Sequence, residues 1–354
     1  MTNINLQTIS CGGNYYIIKG IYNPVQKDAS LTAFKLNLAT GEIDNSVNLM
    51  NFSCTKAKAK HMDTVQVIKS PDESKMLILE SVERHSEKTG EFYASIVSKD
   101  MKVLWTKEFS LPKENRNNVY RNIALSNDGS IYMFSIGEKR NRSNPPMYLY
   151  KVTNEKAGYE QRELNFSDLS VPDAAMVLNS DNQPTFAGFY KDQETKKAYD
   201  GVFQGTTDAN GNIVLSTKKE FTIDYFSQVA TKREEKVLNR KASKGKDLNE
   251  TPENNVTDLI KTADGGSLMI AEKYSCIQVT RTETTNTGQG APIYRTSTYF
   301  EHYYGDVTVT KMDASGNIAF VKTIAKNNRF SMPYADKPFQ KEFRLVNIKD
   351  SYYF

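Results

Sequence analysis

A two-part hairpin pattern recurs along the whole chain, and it leaves few folds open. The first part is a short apolar run, a polar turn rich in Asp, Gly, Asn and Ser, and a second apolar run. Its copies are TISCGGNYYII (8–18), VIKSPDESKMLIL (67–79), ALSNDGSIYMF (124–134), VLNSDNQPTFAGF (177–189), LIKTADGGSLMI (259–270) and LVNIKDSYYF (345–354). With Gly13, Glu73, Gly129, Asn182, Gly265 and Asp350 as turn markers, the spacings are 60, 56, 53, 83 and 85 residues. The second part alternates with the first: FKLNLATGEI (34–43), SIVSKDMKVLW (95–105), LYKVTNEKAGY (149–159), FQGTTDANGNIVL (203–215) and VTKMDASGNIAF (309–320). Both parts read as hairpins for one reason. Asp, Asn and Gly tolerate the positive φ of tight turns, and the flanking β-branched and aromatic residues suit a pleated surface. Alternation along Phe34, Leu36 and Leu38, and again at Val307 and Val309, predicts one buried face and one less buried face.

Two alternating hairpins per period of about 55 residues give four antiparallel strands per repeat. That is the pattern of a propeller blade, whereas a long β-sandwich predicts no such alternation of inner and outer hairpins. The expected fold is therefore all-β, a β-propeller of four-stranded antiparallel blades. Five complete repeats fall at about 9–50, 65–110, 120–165, 174–222 and 256–325, and a partial sixth begins near 342. Residues 1–354 read as a single propeller domain, with 226–255 a helical and loop insertion and 272–305 an extended hairpin insertion. From 226 to 242, Phe226, Val229, Ala230, Val237, Leu238 and Ala242 recur near a 3.6-residue period, which predicts a solvated amphipathic helix. Its basic side chains, among them Lys232, Arg233, Lys236, Arg240 and Lys241, leave contact with an acidic surface or lipid headgroups as the alternative role.

Composition supports strands and excludes several function classes. Hydrophobic residues make up 38% and charged residues 25% of the 354, enough for a true core. Tyr at 20 and Phe at 17, beside a single Trp, favour strands. Lys+Arg of 46 against Asp+Glu of 42 gives a net charge of +4, too weak a bias for nucleic acid as the main partner. No run approaches the ~18 apolar residues of a transmembrane helix. Cys11, Cys54 and Cys276 are expected as small buried strand residues, the alternative being one disulfide and a spare thiol. The opening residues 1–5 carry neither a basic nor an apolar signal region. Residues 350–354 stop inside an apolar strand, so the chain is expected to be a trimmed form of something longer. Its last sheet is then incomplete at an edge, with Tyr352 and Phe354 partly uncovered and prone to pair with another chain.

The segment Ser70-Pro-Asp-Glu-Ser-Lys-Met-Leu-Ile resembles the "SPDG-x-LYV" strand–turn–strand element of many bacterial propellers. Residues 38–43 and 312–318 look like their outer turns, and HYYGDVTVTKMDASGNI (302–318) is similar to the outer strands of secreted β-propellers of the Bacteroidota. The likeness runs over nearly the whole chain at the level of the repeat. Trp occurs after an outer turn only at Trp105, and Phe320 stands in the comparable place of the fifth repeat. The resemblance implies an exported protein, periplasmic or on the cell surface.

Motifs for chemistry are sparse. His61, His85 and His302 lie far apart, with no second His or Cys at ligand spacing, so neither metal nor cofactor is expected. No Gly-x-Ser-x-Gly, Walker or dinucleotide glycine pattern occurs. Asp208-Ala-Asn210-Gly-Asn212 begins like a calcium loop, but the position of the bidentate Glu is Lys219, so a tight turn is expected. Thr262-Ala-Asp264-Gly-Gly266 approaches a sialidase Asp-box without its Trp. The connections 80–92, 138–146, 190–200, 226–255, 272–305 and 326–341 are long, while the other turns are tight. Long loops on a rigid scaffold are where binding is placed. Arg84, His85, Arg140, Arg142, Tyr199, Tyr299, His302, Tyr303 and Tyr304 are the expected ligand-binding face, away from Gly41, Gly129, Gly211 and Gly316. The expected function is a non-enzymatic binding or scaffold module for a protein or glycan. The alternative is a carbohydrate-active hydrolase or lyase with acids at a funnel mouth.

Overall fold

Polar turns of two to six residues join many successive strands, so these strands fold back on their predecessors. The computed structural model describes residues 2–54, 65–82, 89–112, 120–137, 145–166, 169–192, 199–208, 210, 212–244, 253–285, 293–335, 343–344, 346–348 and 351–353. The first sheet runs β1 (Thr2–Cys11), β2 (Asn14–Asn23), β3 (Asp28–Leu36) and β4 (Ile43–Ser53) in sequence order. The second does the same with β5 (Gln66–Lys69), β6 (Lys75–Val82), β7 (Thr89–Ser98) and β8 (Val103–Pro112). The third comprises β9 (Tyr120–Leu125), β10 (Ile131–Ile136), β11 (Met147–Val152) and β12 (Glu160–Glu163). The fourth comprises β13 (Leu169–Leu178), β14 (Pro184–Asp192), β15 (Gly201–Thr207) and β16 (Ile213–Glu220). In the fifth, β17 (Glu253–Lys261), β18 (Ser267–Thr285), β19 (Ile293–Met312) and β20 (Ile318–Ile324) follow the same order, and β21 (Asn328–Met332) adds to β19. A final pair, β22 (Val346–Ile348) and β23 (Ser351–Tyr353), is antiparallel. The side chains of Tyr352 and Phe354, expected to be partly uncovered, lie outside the described residues. The protein is all-β, built from four-stranded antiparallel sheets.

The tight turns have the backbone that their sequences imply. Four of the inner-hairpin markers, Gly13, Gly129, Gly265 and Asn182, have positive φ, and so does Glu73 at 54°. Met101, in an outer turn, is at 61°. Each of these tight hairpin turns puts one residue in the left-handed region, whether or not a glycine supplies it. Side chains lock the same turns. Ser70 donates to Asp72 Oδ1 at 2.7 Å, and Asp72 Oδ1 accepts from the Ser74 amide at 2.9 Å. Ser126 with Asp128, and Thr262 with Asp264, repeat the arrangement.

Contacts are grouped into two units, Met1–Asn165 with Met176–Pro184 and Thr207–Ile213, and Phe166–Ala175 with Thr185–Thr206 and Val214–Phe354. In the first unit the second sheet is buried on both faces. Met76, Ile78, Tyr93 and Val97 join Ile18, Leu31, Ala33 and Leu49 of the first sheet. Leu77, Leu79, Phe92, Ala94 and Ile96 join Leu125, Ile131, Met133 and Tyr150 of the third. The period of two along β6 and β7 therefore feeds two cores at once. Each fully buried large side chain contributes roughly 1.5–3 kcal/mol. Turns of successive sheets are also tied together: the Asp72 amide donates to Asn127 Oδ1 at 3.1 Å, and the Asn127 amide to Asn182 Oδ1 at 2.7 Å. Both bonds span 55 residues, the repeat length seen in the sequence.

In the second unit, the single helix expected over 226–242 is two. A short helix, Ile223–Ser227, precedes a longer one, Lys232–Ala242. The break has a local cause. Thr231 is extended at φ −70° and ψ 159° and forms a capping box with Glu234, which starts a new helix. Gln228 in the gap donates to the Val321 carbonyl at 3.1 Å and accepts from the Thr323 amide at 2.8 Å, pinning the gap to β20. Tyr225 is buried, stacked on Phe221 at 4.0 Å. The longer helix buries no residue. The cysteines are all free. Cys11 and Cys54 are buried as expected, but Cys276 is exposed, on the part of β18 that pairs with His302 of β19.

Candidate functional site

The hairpin of β18 and β19 stays paired from Ser267–Met312 out to Thr285–Ile293. Its neighbours stop sooner: β17 ends opposite Tyr274, and β20 ends opposite Val307. β21 then lines β19 from Tyr304 to Phe300. Beyond that point the two strands continue as a ribbon with no further strand beside it among the described residues, rich in the Thr, Val, Ile and Tyr that suit a pleat. Thr280 and Thr298 hydroxyls lie 3.4 Å apart, and Thr282 and Thr296 3.1 Å apart. Tyr294 is 68% exposed and Ile277 52%.

At the base of the ribbon lies a polar network in an otherwise apolar setting. Glu272 is fully buried and paired with Lys326, whose ammonium also sits 5.5 Å from the centre of the Tyr304 ring. Lys273 and Asp306 pair at 2.9 Å. Glu301 is buried and accepts from both the Tyr303 hydroxyl and Arg329. The Tyr303 hydrogen bond, followed by that of Arg329, holds the Glu301 carboxyl below its ordinary range. The same hydrogen bond pushes the Tyr303 phenol up. Arg329 lies over the Tyr303 ring at 5.2 Å, within cation–π reach. His302 is fully buried with both nitrogens engaged: Nδ1 lies 2.8 Å from the Tyr274 hydroxyl and Nε2 3.0 Å from the Tyr334 carbonyl. A carbonyl only accepts, so Nε2 donates to Tyr334, and Nδ1 is taken up by the Tyr274 hydroxyl. Such a ring orients strands and offers no lone pair to a ligand.

These facts redistribute the residues that the sequence picks out. Tyr299 and Tyr303 are half-buried on the hairpin. Tyr304 and His302 are buried beneath it, Tyr304 between Tyr274 at 5.1 Å and Phe330 at 5.9 Å. Tyr199 is also a core residue, 5.2 Å from the Phe189 ring, with its hydroxyl donating to the Asn254 carbonyl. Tyr199, His302 and Tyr304 therefore pack rather than face solvent, His302 and Tyr304 because they stand two apart on β19 and point to one side. Arg84, His85, Arg140 and Arg142 lie outside the described residues. The sequence reading missed Glu272, Glu301, Lys326 and Arg329. One signal was present: Glu80 and Glu272, both fully buried, each stand ten residues after the turn residues Ser70 and Thr262.

Other acids are locked in turns. Asp208 Oδ1 accepts from the Asn210 and Asn212 amides at 2.8 and 2.9 Å, and its Oδ2 from Asn212 Nδ2 at 2.9 Å. Asp264 accepts from Lys311 at 2.8 Å, which, with Thr262 and the Gly266 amide, holds its carboxyl well below the usual range. In the first unit, Tyr132, Leu149, Lys151, Arg162, Pro184 and Thr207 line a cleft of about 200 Å³. That is smaller than the ~300–1,000 Å³ of ordinary ligand pockets. Among the described residues, no three His, Cys, Asp or Glu side chains gather as metal ligands. No described helix is long and apolar enough to cross a membrane.

No protein-family model matches the sequence, and no curated protein matches it. Solved structures align over most of the chain at low similarity. An apocarotenoid oxygenase from Synechocystis aligns at 9% identity and TM-score 0.34, covering 91% of this chain and 60% of that one. The chain thus spans about 60% of the length of that oxygenase. An endo-1,4-β-xylanase from Bacteroides thetaiotaomicron aligns at 11% identity and TM-score 0.34, covering 91% and 94%. A Bacteroides caccae protein of unknown function aligns at 11% identity and TM-score 0.28, covering 83% and 90%.

Proposed function

We propose that the four-stranded sheets are blades of a β-propeller and that the chain is an exported, non-enzymatic binding or scaffold module of the cell envelope. The 55-residue hydrogen bonds between successive turns, and a sheet buried on both faces, support the blade reading. Export rests on the resemblance of the repeats to secreted propellers. The observation that carries the binding reading is the ribbon of β18 and β19. It holds Tyr294, Tyr299 and Tyr303 outside the core, with Arg329 on the Tyr303 ring, on a base fixed by buried ion pairs. Aromatic rings beside Arg are the anchors that recognition surfaces favour. A protein or a glycan is the ligand class.

The hydrolase reading has less support. A glycosidase needs one carboxyl whose pKa is raised so that it can donate a proton. Every described carboxyl with a resolved shift, including Asp72, Glu160, Asp264, Glu301 and Asp313, is moved down by hydrogen bonds and charge. Titration calorimetry of the full chain against a polysaccharide panel, with a reducing-sugar assay alongside, tests the proposal. Binding without sugar release, lost in Tyr299→Ala with Tyr303→Ala, is the expected result. Sugar release would overturn the non-enzymatic reading.

A further inference from the structure

The ribbon has a second property that the binding reading does not use. From 275 to 285, no strand is described beside the outer edge of β18, and most of these residues are exposed. That edge is 11 residues long, about 35 Å at the usual rise. Proteins protect such edges with Lys, Pro, bulges or short strands. Here Ser275-Cys-Ile-Gln-Val-Thr-Arg-Thr-Glu-Thr-Thr285 contains no Lys, Pro or Gly, and its pairing with β19 has no register shift past Tyr274. A two-stranded ribbon alone is marginally stable in water, so an additional strand would stabilise it.

The sequence of the edge identifies its occupant. Arg281 and Glu283 flank Thr282 and point to the same face of the ribbon, where they lie 3.5 Å apart and exposed. An antiparallel copy of the same edge, related by a two-fold axis at Thr282, would set each Arg281 opposite Glu283 of the second copy. Thr280 would meet Thr284 and Val279 would meet Thr285, all neutral β-formers. Arg295 already lies opposite Glu283 within the ribbon. Each Glu283 would therefore stand between two arginines, its own Arg295 and Arg281 of the second copy. Opposite charges facing each other across strands stabilise a pair, and like charges destabilise it.

We infer that residues 279–285 are a self-complementary edge through which two copies of this chain join their ribbons into one four-stranded sheet. The contact is isologous, so it closes at two copies and does not propagate. It leaves the faces of the ribbon, with Tyr294 and Tyr299, free, and it does not depend on the propeller or ligand readings. The buried area of a single edge is below the ~1,200 Å² of a standard interface, so dimerisation is expected to depend on concentration.

Sedimentation velocity of the full chain over a concentration series is expected to show a monomer–dimer equilibrium. Arg281→Glu alone and Glu283→Arg alone each put like charges across the two-fold, and each is expected to weaken the dimer about tenfold or more. An equimolar mixture of the two variants restores Glu opposite Arg on both sides, so it should give one-to-one heterodimers. That rescue also shows that both variants fold. In a Cys276→Ser background, Thr282→Cys should oxidise to a covalent dimer, because directly opposed residues lie within disulfide reach. Thr280→Cys, which would face Thr284, should not. A chain that stays monomeric throughout overturns the inference. So does a dimer that both charge variants leave intact, as pairing through the β22–β23 end would give, or cross-linking that does not distinguish 280 from 282.

Discussion

The second sheet and the ribbon of the fifth are made from the same kind of strand and end in opposite environments. β6 and β7 alternate Met76, Ile78, Tyr93 and Val97 against Leu77, Leu79, Phe92 and Ile96, and both sets are buried because a sheet lies on each side. β18 and β19 carry Val279, Ile277, Thr280 and Thr298 in the same extended backbone, yet beyond Tyr274 and Phe300 they are largely exposed. Local β-propensity therefore does not distinguish core from surface here. What distinguishes them, among the described residues, is whether sheets flank the strand, which is a property of the repeat and not of the strand.

The largest test of that contrast is a truncation in the doubly buried sheet. Phe92 is buried and stacks on Phe109 at 5.3 Å. Phe92→Ala is expected to cost about 3–5 kcal/mol in denaturant unfolding. Tyr294→Ala in the ribbon should change stability by less than about 0.5 kcal/mol. Similar losses at the two positions would break the comparison.

The base of the ribbon is intermediate, since its strands are exposed but its ion pairs are not. Lys326→Met leaves Glu272 fully buried without that cation, and is expected to cost about 3 kcal/mol in the same unfolding assay. Glu272→Gln combined with Lys326→Met should recover much of the loss. An additive double variant would mean that the two groups do not act as a pair.

Much of this architecture could be read from the chain before any coordinates. The turn markers Gly13, Glu73, Gly129, Asn182 and Gly265 coincide with positive-φ positions, because tight turns constrain residue type strongly. The sequence marks 272–305 as a long connection, and β18 and β19 pair from Ser267–Met312 to Thr285–Ile293. The site was less legible. Period-two alternation says that aromatics divide between two faces, but not which face is buried once a strand leaves its sheet. Tyr304 and His302 thus read as surface and are core, while Cys276 read as core and is surface. The buried Glu272–Lys326 and Glu301–Arg329 pairs join residues up to 54 apart, and no local pattern encodes them.

Acid gives a smaller effect that samples the turns. The Ser70 hydroxyl holds the Asp72 carboxyl below its ordinary value, and Lys311 does the same for Asp264. Both groups bind protons less readily folded than unfolded. Their contribution is complete above the unfolded pKa, near 4, and is lost as pH falls through the folded values. The thermal midpoint should fall from pH 5 to pH 3, and Asp264→Asn should flatten that fall. A variant with an unchanged slope would remove Asp264 from the account.

The smallest effect is expected at the longer helix, which differs from both strand regions by burying nothing. Its ends are well formed. Glu234 Oε2 accepts from the Thr231 amide at 2.8 Å, Glu234 and Glu235 lie in the first turn, and Arg240 and Lys241 lie in the last. Those features favour the helix locally by complementing its dipole, without coupling it to a core. Thr231→Ala should remove about 1 kcal/mol from the helix itself. Hydrogen exchange over 232–242 should then speed up while the global unfolding midpoint stays in place. Val237→Ser, at a half-exposed position on the same helix, should shift that midpoint by less than about 0.5 kcal/mol. A loss above about 1 kcal/mol from Val237→Ser would mean that the helix docks its apolar side in solution, and that exposure alone does not separate the loosely held parts of this chain from the core.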